Sequence, residues 1–95
     1  MILKHGNGKV TFIFDQASSL PVFLTGDFNN WSTQIDPMEL IDEKWQKTIK
    51  LKPGAYQFKY FTIDQKAEIE WFNDWRADAY VKSPYGGENS VVIID

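Results

Sequence analysis

Short runs in which apolar and polar residues alternate recur along the chain, and they predict β-strands. Over residues 9–14, the apolar side chains of Val10, Phe12 and Phe14 occupy every second position, so they share one face of an extended strand. Residues 22–25 form a second short run, which is mostly apolar and composed of residues that favour β-strands. Polar, turn-forming stretches separate such runs, which is typical of all-β domains.

The two longest alternating runs lie in the middle of the chain, over residues 44–51 and 55–63, with a Pro-Gly turn signal between them. In the first run, Trp45 shares a face with two aliphatic residues. In the second run, aromatic rings at positions 56, 58 and 60 share one face, and Lys59 lies on the other. We therefore expect Trp45 and the three rings in the core and Lys59 pointing outward.

The last third of the chain has a weaker pattern. Residues 67–72 predict the return strand of a hairpin, in which Trp71 shares a face with Ile69, so pattern alone favours a core position for this indole. Residues 77–81 are compatible with one helical turn, and residues 91–94 form an apolar closing strand.

These elements predict an all-β fold, an immunoglobulin-like (early-set) β-sandwich of about seven strands. A chain of 95 residues has room for one hydrophobic core. We therefore expect a single domain over residues 1–95, with residues 1–8 as a loosely ordered lead-in.

The charge balance narrows the classes of partner. The formal net charge is −3, and Lys and Arg are not clustered, so the chain lacks the basic footprint of a nucleic-acid-binding protein. No segment is apolar enough to span a bilayer, and the first residues lack the apolar run of a signal peptide. We expect a cytoplasmic protein with no nucleic-acid or membrane partner.

Catalytic and metal-binding groups are sparse. The chain has one histidine, His5, and no cysteine, which disfavours histidine-based catalysis and metal sites built from His or Cys. Asp74 and Asp78, like the pair Glu68 and Glu70, are expected to be solvated surface carboxylates and not a catalytic pair. The sequence therefore predicts a protein that is not an enzyme and holds no metal or other cofactor.

Aromatic residues are more numerous than a small core readily encloses, with seven Phe, four Tyr and four Trp. A sugar ring needs a flat ring against its apolar face and polar groups at its hydroxyl edge. Trp31 in its Asn-flanked loop, Lys59, Trp71 and Asn89 could together form such a surface. Each also has a plain structural interpretation: Trp31 as a cap on the core, Lys59 as a solvated lysine, and Asn89 as a turn residue.

Three blocks of sequence resemble the family 48 carbohydrate-binding modules, which include the glycogen-binding domain of the AMP-activated protein kinase beta subunit and the N-terminal early-set domains of isoamylases. The blocks are Val22-Phe23-Leu24-Thr25-Gly26-Asp27-Phe28-Asn29-Asn30-Trp31, then Trp45 through Pro53-Gly54-Ala55-Tyr56-Gln57-Phe58-Lys59-Tyr60, and Gly86-Gly87-Glu88-Asn89-Ser90-Val91-Val92. The blocks follow the family's order and spacing, and the resemblance runs over nearly the whole chain.

The resemblance implies a non-catalytic domain that binds α-1,4-linked glucan, such as glycogen, starch or maltodextrin. It implies that Trp31 and Trp71 are stacking platforms and that Lys59 and Asn89 hydrogen-bond to glucose hydroxyls. Tyr85 stands where the kinase-type domains have a leucine that reaches through the curved glucan.

An alternative function remains open, an early-set module that binds protein and no carbohydrate. The run Val91-Val92-Ile93-Ile94 places apolar side chains on both faces of the last strand, which suits self-association or docking to a glucan-active enzyme.

Overall fold

The structure is a computed structural model that describes residues 1–95. Its nine strands form two antiparallel sheets packed as a sandwich, and the only helical element is a 3-10 turn over Asp27–Asn29. The all-β sandwich is thus confirmed, with more strands than the expected seven. The strands are β1 Ile2–Gly6, β2 Lys9–Phe14, β3 Val22–Gly26, β4 Glu39–Ile41, β5 Lys44–Lys50, β6 Gly54–Ile63, β7 Ile69–Phe72, β8 Ala79–Lys82 and β9 Glu88–Ile94.

The strands divide into a four-stranded sheet in the order β1-β2-β5-β4 and a five-stranded sheet in the order β3-β6-β9-β8, with β7 also paired to β6. Strand β6 organises the second sheet because it is the longest. Along one side it pairs with β3, and along the other it pairs first with β9 and then with β7. No helix in the structure is long and apolar enough to cross a membrane.

The core lies between the sheets and is built from the alternating residues that the sequence assigned to it. Phe12 of β2 meets Phe58 of β6 edge to face, with ring centroids 4.9 Å apart. Trp45 packs against the same cluster, as predicted. The ten buried residues of the cluster are Val10, Phe12, Phe14, Val22, Leu24, Met38, Phe58, Tyr60, Val92 and Ile94.

The expectation of a loosely ordered lead-in over residues 1–8 is wrong. Ile2–Gly6 forms β1 and pairs antiparallel with β2. Asn7 and Gly8 make the connecting turn with φ angles of 54° and 80°. Two consecutive positive φ angles match the type I′ turn, which favours Asn-Gly and joins strands of a hairpin.

The helical turn expected over residues 77–81 is also wrong, because this segment forms the edge strand β8. Ala79–Lys82 pairs with β9, and Asp78 N donates a hydrogen bond to Val91 O at 3.0 Å. Pairing with β9 satisfies the backbone groups that a helical turn would have bonded locally. Strand β4 was not predicted, because three residues are too few to show a period.

Candidate functional site

Every second residue of the five-stranded sheet points away from the core and forms what we call the aromatic face. Its central strand, β6, contributes the side chains that alternate with the buried Phe58 and Tyr60. Neighbouring strands add aromatic and polar residues in register. The members used below are Phe23, Thr25, Gln57, Lys59, Phe61, Trp71 and Asn89.

Three rings form a row across one end of the aromatic face. Phe61 of β6 lies between Phe23 of β3 and Trp71 of β7, its register partners. Phe23 and Phe61 are stacked with centroids 5.1 Å apart, and Phe61 and Trp71 lie 5.2 Å apart. Phe61 is fully buried although it points outward. The row therefore gives the Trp71 indole a packed support.

The core position that pattern favoured for Trp71 is wrong, because 45% of this residue is exposed. Its neighbour Phe72 points inward and packs against Phe14, with centroids 5.2 Å apart. The pattern failed here because both faces of β7 carry large apolar residues, so alternation does not identify the buried face.

Polar groups occupy the next row. Lys59 points outward as predicted, opposite Thr25 of β3, and is half-buried without an ion pair. Asn89 lies on β9 and not in a turn, and its Nδ2 donates a hydrogen bond to Gln57 Oε1 at 3.0 Å. Both side chains can hydrogen-bond to hydroxyl groups.

Asn73 ties the end of β7 to the start of β9. Its Nδ2 donates to Glu88 O, and its Oδ1 accepts from Ser90 Oγ, both at 2.9 Å. Trp71 and Asn89 lie within two residues of these bonds, so the tie links the two strand ends that carry them.

Trp31 lies in the loop that follows the 3-10 turn, as predicted, and its ring is half-buried. Its backbone N donates to Gly26 O at 2.9 Å, and its indole Nε1 donates to Asp27 Oδ1 at 3.0 Å. Asn30 and Trp31 both have positive φ angles, 56° and 57°. A bulky residue in this conformation is uncommon and is held by the surrounding structure.

The buried Asn29 supplies much of that restraint. It accepts a hydrogen bond from Gly26 N at 3.0 Å and donates to Leu24 O and to Asp36 Oδ2. These bonds fold the loop back onto β3, so Trp31 is carried to the edge of the aromatic face.

The remaining predicted residue, Tyr85, lies in the loop between β8 and β9. Its ring is almost fully accessible, at 96% exposure. A turn closes this loop, with Ser83 N donating to Gly87 O at 3.0 Å. The loop runs directly into β9, so Tyr85 lies near the Asn89 end of the face but makes no side-chain hydrogen bond with it.

The expectation of a solvated Asp74 is wrong, since only 2% of this residue is exposed. Its carboxylate accepts hydrogen bonds from Tyr60 Oη at 2.7 Å, from Arg76 N and from the α-amino group of Met1. Asp78 pairs with Lys4 on the surface. Both carboxylates therefore serve structural contacts.

Two depressions of the surface lie away from the aromatic face. Two open grooves of about 500 and 440 Å³ run along the β1–β2 turn and β5. They are lined by backbone and by residues such as Asn7 and Lys50. The aromatic face is a shallow surface and not a pocket.

Sequence reasoning did not name as site residues Phe23, Gln57 and Phe61 of this face, nor Asp27, which bonds to Trp31 beside it. A signal existed for two of them, because Gln57 and Phe61 have the same parity as Lys59 along β6. Asp27 and Phe23 gave no such signal, because their partners lie on other strands.

Comparison with known families agrees with this geometry. The family model described as the glycogen recognition site of AMP-activated protein kinase matches residues 8–92, which include β2 to β8 in full and most of β9. No curated protein sequence matches the chain significantly. The matched family is non-catalytic and supports glucan binding in general. The chain belongs to the family of glycogen recognition domains of the AMP-activated protein kinase type, the family 48 carbohydrate-binding modules.

Proposed function

We propose that this protein binds α-1,4-linked glucan, such as glycogen, starch or maltodextrin, on the aromatic face without catalysing a reaction. Trp31 and Trp71 stack on glucose rings, and Lys59 and Asn89 hydrogen-bond to hydroxyl groups. Tyr85 contacts the glucan from its exposed loop. Family membership supports the ligand class, and the geometry of the face supports the choice of residues.

One observation carries the proposal, the placement of two accessible indoles on either side of a polar row. Trp31 is tied to the Gln57 position of β6 through Asp27, and Trp71 pairs with the Phe61 position. These positions are four residues apart, about 13 Å along a strand. Lys59 lies between them, so the face alternates apolar platforms with hydrogen-bonding groups.

Such a surface suits a polysaccharide better than a small molecule. A shallow face leaves much of its ligand in water, so affinity for one short chain is modest. A branched polymer offers many chain ends to each protein and raises apparent affinity by multivalency.

The protein-interaction alternative receives less support from the structure. Of the run Val91 to Ile94 that motivated it, only Ile93 is exposed. Strand β9 pairs with β6 over residues 90–94 and with β8 over residues 88–91, so on the β8 side only its last three residues lack a strand neighbour. Sedimentation at several concentrations tests this alternative, which requires a concentration-dependent mass.

Native electrophoresis in gels that contain glycogen tests the proposed function. We expect glycogen to retard the wild-type protein and both Trp31→Ala and Trp71→Ala to weaken retardation about tenfold or more in apparent Kd. Trp75→Ala is the matched control. Trp75 is also an exposed indole, at 71% exposure, but it lies beside Met1 and Ile13, which are not part of the aromatic face. Equal retardation of wild type and Trp31→Ala would overturn the proposal.

Fluorescence gives a second measurement with defined ligands. Titration with β-cyclodextrin and maltoheptaose is expected to change tryptophan emission in the wild type, because stacking alters the environment of Trp31. A flat titration for both ligands contradicts the proposed site.

A further inference from the structure

We propose that Asp27 is a positioning residue of the glucan site, which sets the orientation of the Trp31 indole and couples it to the hydrogen-bonding half of the face. This inference rests on the proposed function. It assigns a role in binding to a carboxylate that need not touch the sugar.

The carboxylate of Asp27 bridges the loop and the sheet. Oδ1 accepts the hydrogen bond from Trp31 Nε1 at 3.0 Å, and Oδ2 accepts one from Gln57 N of β6 at 2.7 Å. Nε1–H is the only conventional donor of an indole, so its bond to Asp27 fixes the rotation of the ring. Hydrogen bonds to an ionised acceptor are stronger than neutral ones, which suits a clamp on an exposed ring.

The loop needs this clamp because its backbone restraint does not orient the side chain. Asn29 bonds hold the backbone around Asn30 and Trp31 in their positive-φ conformation. The indole beyond Cβ makes no other hydrogen bond than the one to Asp27. Asn29 thus determines where Trp31 lies, and Asp27 determines which way its ring faces.

The same clamp reaches the polar row. Gln57, whose backbone N binds Asp27, also accepts the Nδ2 hydrogen bond of Asn89 through its Oε1 at 3.0 Å. Asp27 and Asn89 are therefore anchored to one residue of β6. Loss of the carboxylate frees the Trp31 ring but leaves the bond between Asn89 and the Gln57 side chain in place, so the expected effect on glucan binding is through stacking.

Asp27→Asn is the informative variant, because it keeps the size of the side chain. The two donors bind different oxygens of Asp27, and the carboxamide replaces one of these oxygens with an NH2 group, which cannot accept a hydrogen bond. We expect about a three- to tenfold weaker Kd for maltoheptaose in calorimetry. Asp42→Asn is the matched control, since Asp42 is exposed in the β4–β5 turn of the other sheet and binds no other side chain.

A double-mutant cycle with Trp31→Phe separates positioning from direct contact with the sugar. Phenylalanine keeps an aromatic platform but has no N–H for Asp27 to hold. We expect Asp27→Asn to weaken binding by less than twofold in the Trp31→Phe background. A full loss there would mean that Asp27 acts on the glucan itself, and this would overturn the positioning role.

The indole N–H signals in nuclear magnetic resonance spectra report on the Trp31 ring itself, so they distinguish a positioning role of Asp27 from a purely structural one. The four tryptophans give four indole N–H signals. In Asp27→Asn, the Trp31 signal is expected to move and to show greater mobility, while the signal of the half-buried Trp45, which packs against the core, stays in place. An unchanged Trp31 signal overturns the inference even if affinity falls.

The failure of this inference is distinguishable from failure of the proposed function. If wild type binds, Trp31→Ala loses binding and Asp27→Asn binds like wild type, only the positioning role is overturned. If wild type binds no glucan in any assay, both are overturned. A thermal unfolding midpoint for Asp27→Asn equal to that of the wild type shows that the fold of the variant is intact.

Discussion

The buried carboxylate of Asp74 illustrates how a single polar residue is accommodated in this interior. A buried charge is costly unless it is paired and hydrogen-bonded. Asp74 receives bonds from Tyr60, Arg76 N and the Met1 amine, and its own backbone N donates to Ser90 Oγ at 2.8 Å. The residue thereby joins the N-terminal segment to the segment between β7 and β8.

The phenol of Tyr60 is a hydrogen-bond donor to Asp74, and its removal tests this arrangement most directly. Burial raises the pKa of Tyr60 well above 10.0, and the adjacent Asp74 carboxylate raises it further. The raised pKa means that Tyr60 stays a neutral donor, and its contribution to stability is lost only as the pH rises through the folded-state pKa.

Tyr60→Phe should therefore destabilise the fold at neutral pH. The change leaves a buried carboxylate with one donor fewer, and we expect a loss of about 1–3 kcal/mol in the free energy of unfolding. Urea unfolding followed by tryptophan fluorescence measures it. Tyr85→Phe, which removes an exposed hydroxyl, should leave the midpoint unchanged; equal stability of both variants would contradict the role of Tyr60.

Asp78 makes a pH-dependent contribution at the surface. Burial acts to raise the pKa of Asp78, but hydrogen bonds from Lys4 Nζ and Ile93 N outweigh it, so the pKa lies below 3.8. A carboxylate whose pKa is lowered by folding stabilises the native state above its unfolded pKa. That contribution is lost as the pH falls through the folded-state pKa.

Asp78→Asn is expected to cost about 0.5–1 kcal/mol at pH 7, the range for exposed pairs. The difference from wild type should shrink as the pH falls below 3.8, where the wild-type carboxyl becomes protonated. Denaturant unfolding at a series of pH values checks both points. A difference that does not depend on pH would assign the effect to something other than ionisation.

At the scale of elements, the β1–β2 hairpin depends on its two-residue turn. Gly8 has φ of 80°, and a Cβ at this position would lie 2.1 Å from Leu51 O. Gly6 also has positive φ, 88°, but a Cβ there would meet no atom within 4 Å. A residue with a side chain would therefore be strained at both positions, but only at position 8 would its Cβ also lack space.

Gly8→Ala should be clearly more destabilising than Gly6→Ala. Backbone strain alone is worth about 1–3 kcal/mol, and the contact with the β5–β6 turn adds to it only at Gly8. Thermal unfolding of the two variants makes the comparison. Equal losses would mean that the backbone near Leu51 moves away at little cost.

The hairpin also shows how far local signals reach. Asn7-Gly8 is a strong hairpin signal, yet the polar residues around it hide the pairing of β1 with β2. For β6, alternation predicted the inward rings and the outward Lys59. It did not predict that the outward Phe61 is buried, because its cover comes from β3 and β7.

At the scale of the whole molecule, the two sheets present different outer surfaces. On the outer surface of the four-stranded sheet, His5, Thr11 and Thr48 form a hydrogen-bonded ladder with distances of 2.7 Å. The five-stranded sheet carries the aromatic face. The proposed glucan site therefore lies on one side of the sandwich only.

A matched pair of lysines tests this sidedness. Lys59→Ala on the aromatic face is expected to weaken glycogen binding about threefold or more, because it removes a hydrogen-bond donor to the sugar. Lys50→Ala removes the same charge from β5 on the opposite surface and should change binding by less than twofold. Affinity electrophoresis compares them, and equal effects would indicate a response to net charge.

The sequence by itself determined six of the nine strands, the inward rings of β2 and β6 and the family, because alternation and motif are read along a single segment. Only the tertiary structure decided the neighbours of each strand. Trp71 lies outside the core on Phe61, while its neighbour Phe72 fills the inward position. Asp74 is buried because distant segments bring it hydrogen-bond donors. Asp27 reaches Gln57 because β3 pairs with β6. These contacts join residues far apart in the chain, where local pattern carries no information about distance.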